Sequence, residues 1–361
     1  MPRRAVSEND QLTEEFFVQC REYLAGKATL KTVAAQLKTS VVQFQERIRL
    51  ALEAGYLVLT GRLAGEASLS LRAEWMDKYG QNVETSIAEG CPDNETFAHF
   101  AAERLLWPLR GLLEQKKTVT IGIVSGSSTG ETIKQLVESR LWDELASDAV
   151  VRARTINIIA LNVTPVDGWE LEGNANIAVL RLAVFLREKL PKCDCTPYGL
   201  TSALIIPEKQ RQAADITNKK LIEMADPTLL SSSKATSSLD LVITGVGTPS
   251  NSVFQEVLKA AKIRAPKGMV GDVAFWPVDE AGNALTLTRK GPDGKQETCL
   301  IYSAISLDTL KKLVKSKAKV VVIARNKRRD AGVDKTKAIL AAVRGGYVNF
   351  LVTDRATADN L

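Results

Sequence analysis

The chain has 361 residues, of which 45% are hydrophobic, 25% charged and 6% aromatic, with a mean hydropathy of −0.06. That is the composition of a globular protein and excludes a fibrous or disordered one. At roughly 150 residues per domain the length suggests about two domains. The net charge of +6 and a pI near 9.0 suit an anionic partner, with nucleic acid and sugar phosphates both candidates. No run approaches the ~18 apolar residues that cross a bilayer, and MPRRAVSENDQ is not followed by an apolar leader core, so the sequence predicts a cytoplasmic protein with no membrane partner.

The five cysteines, Cys20, Cys91, Cys193, Cys195 and Cys299, are an odd, scattered set and read as reduced thiols. Cys193 and Cys195 lack a second pair at zinc-site spacing, so no metal is expected. His99 is the single histidine, and every Ser-His, Cys-His or His-metal chemistry would have to run through it. It reads as a polar residue on a helix.

In chain order, TEEFFVQCREYLA (13–25) spaces Phe16, Phe17, Cys20, Tyr23 and Leu24 as one face of a short helix. TLKTVAAQL (29–37) and SVVQFQERIRLALEAG (40–55) predict two more helices, joined by Lys38 and Thr39, with Ser40 as N-cap and Gly55 as the C-terminal stop. YLVLTGRL (56–63) is short and β-rich, as a wing would be. Three helices with a tight turn between the last two form a helix-turn-helix, whose final helix enters the major groove. Phe44, Ile48, Ala51 and Leu52 fall on one face and read as core. The residues left for DNA are Lys38, Thr39, Ser40, Gln43, Gln45, Arg47 and Arg49, the glutamines suited to base edges and the cations to phosphates.

Beyond about Gly65 strands and helices alternate. Thr118–Gly126, Val151–Leu161, Ser202–Pro207, Leu239–Gly247, Ala318–Ala324 and Val348–Thr353 read as strands. Helical segments such as GETIKQLVESRLWDEL, NIAVLRLAVFLREKL, SVFQEVLKAAK and DKTKAILAAVRGG separate most of them. The expected fold is α/β, with an N-terminal helix-turn-helix domain and a larger domain on a mostly parallel sheet covered on both faces. MDKYGQNV reads as a linker into the larger domain, and PVDEAGNALTLTRKGPDGKQETCLIY as a hairpin turning at Asp293-Gly294.

SGSSTGET (125–132) follows a strand and opens a helix. Gly126 lets the backbone approach a ligand, unpaired helix N–H groups point outward, and Ser127, Ser128 and Thr129 add hydroxyls, which together make a phosphate cradle. It has neither the Gly-Lys-Ser/Thr of a P-loop nor GxGxxG, and no cofactor is expected. TGVGTPSNS, with Gly245 and Gly247, is a second strand-end glycine loop, and both loops fall on the ligand-binding edge of an open sheet. In GMVGDV, Asp272 is offered to sugar hydroxyls or simply closes a turn. The cations Arg325, Lys327, Arg328 and Arg329 read as a solvated run.

The succession of helix-turn-helix, GSSTG, LDLVITGVG, GMVGDVAFWPVDEAGN and DKTKAILAAVRGGYVNFLVTDRATADNL resembles the SorC/DeoR-type sugar-binding transcriptional regulators of bacteria, over nearly the whole chain and most specifically from Asp334 to Leu361. The resemblance implies a regulator, repressor or activator, of a carbohydrate-utilisation operon, a homodimer or homotetramer and not an enzyme. Its partners would be operator DNA and a phosphorylated sugar. It divides the chain into a winged helix-turn-helix domain (1–63) and a Rossmann-like sugar-phosphate effector domain (64–361). By position, Gly126, Ser127, Ser128 and Thr129 match the family's phosphate loop, Gly245 and Gly247 its second loop, Asp272 its acidic hydroxyl ligand and Lys335 its phosphate-binding lysine. Two stretches depart from the family pattern: Val41 and Glu46 stand where arginines are common, and RNKRRDAGVD (325–334) replaces a short Gly-Gly approach to Lys335. A sugar-phosphate isomerase or deaminase on the same fold is the rival reading. A sugar-phosphate sensor that binds another protein is a third, motivated by Val41 and Glu46.

Overall fold

Runs such as TVTIGI, LVIT and FLVTD are buried along almost their whole length, a pattern suited to a parallel sheet covered on both faces. The computed structural model describes residues 15–16, 18–20, 30–41, 43–44, 47, 65–89, 91, 93–138, 142, 151–163, 173–230, 236–249, 253–290, 294–316, 318–326 and 334–361.

After α1 (Leu30–Gln36) and α2 (Gly65–Tyr79), the chain alternates through β1 (Glu84–Ala88), α3 (Asn94–Gln115), β2 (Thr118–Ile123), α4 (Ser127–Glu138), β3 (Thr155–Ala160), α5 (Ala175–Lys189) and β4 (Asp194–Tyr198). There follow β5 (Ile205–Pro207), the short helices α6 (Arg211–Thr217) and α7 (Lys219–Ala225), β6 (Leu241–Thr244), β7 (Val246–Gly247) and α8 (Val253–Ala260). The remainder is β8 (Gly271–Val273), β9 (Trp276–Val278), β10 (Leu287–Lys290), β11 (Gln296–Ile301), α9 (Leu307–Lys315), β12 (Lys319–Ile323), α10 (Thr336–Arg344), β13 (Phe350–Asp354) and α11 (Arg355–Ala358).

The central sheet has seven strands in the order β1-β13-β12-β6-β2-β3-β4, and every pairing in it is parallel. From β2 the chain winds outward through β3 to β4, then returns to place β6 on the other side of β2. Strand order therefore reverses between β2 and β6, and such a reversal opens a crevice beyond the carboxyl ends of the two strands. Ile123 lies opposite Ile243, and Thr244 opposite Val322, so β2, β6 and β12 end level and their following loops share one rim.

Five of the six predicted strands enter this sheet. Ser202–Pro207 instead contributes β5 to an antiparallel sheet of order β10-β11-β5. LDLVITGVG breaks at Gly245 into β6 of the main sheet and β7 of a second antiparallel sheet, β7-β8-β9. The edge strands β1 and β4 were not foreseen: ETSIA and DCTPY are too polar to read as core strands, and Pro197 is tolerated because β4 is an edge. The hairpin at Gly294 forms with β10 and β11 as its arms. MDKYGQNV is no linker. Met76 to Tyr79 are the last turn of α2, and Gly80, at φ +65°, closes it with its N–H on the Met76 carbonyl while Gln81 reaches back to Trp75. The proposed boundary near residue 64 and the wing (56–63) lie outside the described residues. All five cysteines are free and buried. Cys195 is pushed up to about 11 by burial, so it is a thiol that packs.

The small sheet β7-β8-β9 lies on the first turn of α10. A β-carbon on Gly271 would come within 2.5 Å of both Ala338 Cβ and the Gly247 carbonyl oxygen. Gly271→Ala is expected to destabilise the fold by about 1–3 kcal/mol through overpacking, measured by urea unfolding; an unchanged midpoint would show that this contact is slack.

Candidate functional site

Gly126 precedes α4 with φ +152°, a conformation that favours glycine. With no side chain at this position to cap the helix, the first N–H groups of α4 face the rim. The loop is held from behind: the Gly126 N–H donates to the Gly173 carbonyl at 2.8 Å, and the buried Ser125 takes part in three further bonds. Its N–H donates to Asn162 Oδ1 at 2.8 Å, its hydroxyl donates to the Asn162 carbonyl at 3.2 Å, and Ala175 N–H donates to Ser125 Oγ at 3.0 Å. Ser127 and Ser128 are half-exposed, whereas Thr129 is buried. The Thr129 hydroxyl has no hydrogen-bond partner, an arrangement that costs about 1–3 kcal/mol unless a ligand completes it.

Across the crevice, a β-carbon placed on Gly245 would sit 3.8 Å from Thr129 Oγ1 and 3.5 Å from the Ile323 carbonyl oxygen, so the β2, β6 and β12 loops meet there. Two residues on, a β-carbon on Gly247 would lie 2.0 Å from Asp272 Oδ2; a side chain at Gly247 would cover that carboxylate.

Asp272 is 4% exposed. Its Oδ1 accepts the Phe275 N–H at 3.0 Å, while Oδ2 has no partner. Burial pushes the carboxyl up to about 7, opposed by the Phe275 amide, by the charge of Lys335 and by the Gly247 amide. Asp272 thus closes the turn through one oxygen and keeps the other buried without a partner beside Gly247. Lys335 is half-buried at the start of α10, its N–H donating to Asn326 Oδ1 at 2.7 Å. Asn326 Nδ2 in turn donates to Asp334 Oδ1 at 3.3 Å, and Asp334 Oδ1 accepts the Thr336 N–H at 2.9 Å.

The structure therefore brings together Gly126, Ser127, Ser128, Thr129, Gly245, Gly247, Asp272 and Lys335 in one chain of neighbours along the rim. Sequence reasoning missed Ser125, Asn162 and Asn326. The available signal was a polar residue ending a buried strand, as in IIALN and VVVIARN. Arg325 is not part of a solvated run: it is 6% exposed, its Nη1 donates to the Asp93 carbonyl at 2.5 Å, and its guanidinium lies 5.5 Å from the Phe97 ring centre. Lys327, Arg328 and Arg329 lie outside the described residues. His99 is an exposed residue of α3, 3.5 Å from Glu103. Among the described residues no group of three or more His, Cys, Asp or Glu could hold a metal, and no helix is long and apolar enough to cross a membrane.

In the N-terminal segment, the turn after α1 passes through Lys38 at φ +50°, and Ser40 opens the next helical stretch. Ser40 Oγ accepts the Gln43 N–H at 3.1 Å, and Gln43 Oε1 accepts the Ser40 N–H at 3.0 Å, a reciprocal capping box. Gln43 Oε1 also accepts the Thr39 hydroxyl at 3.0 Å. A bidentate adenine contact needs that oxygen, so in this state Gln43 serves the helix start instead of a base edge. Phe44 is buried edge-on against Phe16, ring centres 5.8 Å apart. Lys38, Thr39, Ser40 and Gln43 are at least partly exposed, as is Arg47. Gln45 and Arg49, with Ile48, Ala51 and Leu52, lie outside the described residues.

A family model described as "Putative sugar-binding domain" matches residues 212–361. Among solved structures, that of a probable sor operon regulator from Shigella flexneri superposes with a TM-score of 0.53 at 17% identity, covering 81% of this chain and 98% of that one. The full-length sorbitol operon regulator SorC from Klebsiella pneumoniae gives 0.52 at 16% identity, covering 95% and 96%. A DeoR family transcriptional regulator from Listeria monocytogenes gives 0.50 at 18% identity, covering 82% and 99%. No curated protein matches the chain. The fold is that of the SorC- and DeoR-type regulators, an N-terminal helical region followed by a mostly parallel sheet, as the motifs predicted.

Two outcomes follow from the buried, unpartnered atoms. Thr129→Val removes a hydroxyl that bonds to nothing in the ligand-free chain and should leave it as stable, or more stable by about 1 kcal/mol; a loss above that in thermal unfolding would mean the hydroxyl is already satisfied. Asp272, whose carboxyl is raised from 3.8 to about 7, holds a proton in the folded chain that the unfolded chain has lost. Its contribution to stability falls as pH rises from about 4 to about 7 and levels off above. Relative to Asp272→Asn, the wild type should lose on the order of a few kcal/mol between these limits; parallel pH profiles for the two proteins would contradict the buried carboxyl.

Proposed function

We propose that the protein is a DNA-binding transcriptional regulator of a carbohydrate-utilisation operon whose operator affinity is set by a phosphorylated sugar. The observation that carries this reading is the pairing, along one crevice at the switch point, of an uncapped helix N-terminus and the unpartnered Thr129 hydroxyl with the bare Asp272 oxygen and Lys335. The α4 N-terminus, its hydroxyls and Lys335 supply what a phosphate needs: N–H donors, the positive end of a helix dipole and a cation. Asp272, buried behind Gly247 with one oxygen unpartnered, takes the sugar hydroxyls as they enter the loop.

Residues 1–63 form the winged helix-turn-helix head and 64–361 the effector domain. In the head, Lys38, Arg47 and Arg49 hold phosphates, with Thr39 and Ser40 at the helix start and Gln45 as base reader. Gln43 acts through the cap. One such head makes few contacts, so pairing on a palindromic operator calls for a homodimer or homotetramer in the cytoplasm.

The test is footprinting on the DNA upstream of the gene and its neighbours, with and without a panel of pentose and hexose phosphates. Protection that one ester alters is the expected result; no protection at low salt would reject the regulator. Turnover of a pentose or hexosamine phosphate by the purified protein would favour the isomerase or deaminase class instead. Lys335→Ala should weaken ester binding roughly 10–100-fold, the scale of a charge-assisted hydrogen bond, while binding of the unphosphorylated sugar stays unchanged by calorimetry. An equal loss for both, or none, would remove the phosphate from the site.

A further inference from the structure

The turn between β8 and β9 is built on two residues that avoid this conformation. Ala274 has φ +51° and Phe275 φ +67°, the mirror-image turn that normally takes Asn-Gly or Gly-Gly. Left-handed backbone is unfavourable for a residue with a side chain. Both ends of the central peptide of this turn are held. Its oxygen, the Ala274 carbonyl, accepts Asn162 Nδ2 at 3.2 Å, and its N–H, on Phe275, donates to Asp272 Oδ1 at 3.0 Å. Asn162 itself is fully buried beyond the end of β3, and its other amide atom, Oδ1, accepts the Ser125 N–H one residue before the phosphate-type loop.

One side chain thus grips the loop that opens α4 with one atom and the turn that orients Asp272 with the other. Rotating the central peptide by half a turn would convert this turn to the form in which only its first central residue is left-handed. That would relieve Phe275, take the N–H away from Asp272 and free the carboxylate to rotate. The hydrogen bond from Asn162 opposes the rotation.

We infer that Asn162 is a positioning residue that couples the two halves of the site, locking the Ala274–Phe275 peptide so that Asp272 can select a polyhydroxylated phosphate ester over a bare phosphate. This rests on the effector reading given above. Loss of the Asn162 side chain leaves the phosphate loop held by the Asn162 backbone carbonyl, by Ala175 and by Gly173, so that half stays usable while the hydroxyl half goes slack.

The experiment compares inorganic phosphate with the tightest-binding member of a panel of pentose 5-phosphates and hexose 6-phosphates, by calorimetry on the full chain. In Asn162→Ala, and in the milder Asn162→Ser should the first not fold, ester affinity is expected to fall at least tenfold while inorganic phosphate changes less than threefold. Asp272→Ala on top should add little, because both changes disable one function. Ala274→Gly in the Asn162→Ala background should restore none of the ester affinity, since glycine at the first central position is what the rotated turn takes. Equal losses for ester and phosphate, additive losses with Asp272→Ala, or restored ester affinity on Ala274→Gly would each reduce Asn162 to a structural residue and overturn the inference.

A ligand-free readout separates this from the fate of the effector reading. Hydrogen exchange at the Phe275 amide should rise at least tenfold in Asn162→Ala. If wild type binds neither phosphate nor any ester, the effector reading falls with the selectivity claimed for Asn162, yet this arm still decides whether Asn162 locks the peptide: unchanged exchange would show that it does not.

Discussion

The small sheet β7-β8-β9 can lie against the first turn of α10 only because position 271 has no side chain, and Asp272 can tuck beside β7 only because position 247 has none. Any β-carbon at Gly271 would collide with Ala338 and with backbone, and one at Gly247 would occupy the space in front of Asp272. The rest of the site depends on this close approach. It carries Asp272 from a hairpin to the rim formed by the parallel strands, and it brings that carboxyl within electrostatic reach of Lys335 on a helix from another crossover. The parallel sheet alone would supply a crevice and one helix N-terminus. The glycine contact adds a second wall of different chemistry.

That second wall resolves an electrostatic conflict. A crevice shaped by a helix N-terminus and a lysine favours an anion, and a fully ionised carboxylate beside it would oppose one. Burial penalises the charged form of Asp272 strongly enough to lift it close to neutrality, although Lys335 pulls the other way. A carboxyl poised in this way can donate as well as accept a hydrogen bond, which suits hydroxyl groups better than cations.

The centre of the fold was legible in the sequence because burial on both faces writes itself as unbroken Val and Ile, as in TVTIGI and KVVVI. The edges were not. β1 and β4 each pair on one side, so their sequences keep polar residues and, at Pro197, a residue without an N–H. Glycine-rich loops marked the rim correctly, since close approach needs glycine whatever the ligand. The residues that tension the site left little trace: Asn162 and Asn326 are single amides at strand ends, and only the three-dimensional partners of their two polar atoms distinguish them from ordinary loop asparagines. In the N-terminal segment, the capping Ser40 was readable from its place before the helix. The return bond from Gln43 was not, because S-x-x-Q also fits a solvent-facing glutamine.

Asn326 sets a different kind of freedom. Its backbone N–H is fixed on Thr357 Oγ1 at 2.8 Å, its carbonyl-side amide oxygen holds the Lys335 N–H, and its amide nitrogen reaches Asp334. The two ends of the stretch running from 326 to 335 are thereby pinned to each other and to α11. Closing a longer loop between fixed ends costs only about 0.6 kcal/mol per doubling of its length. Chain added between these pins would carry only that small closure cost, and the bond from the Lys335 N–H to Asn326 would still seat the lysine at the start of α10.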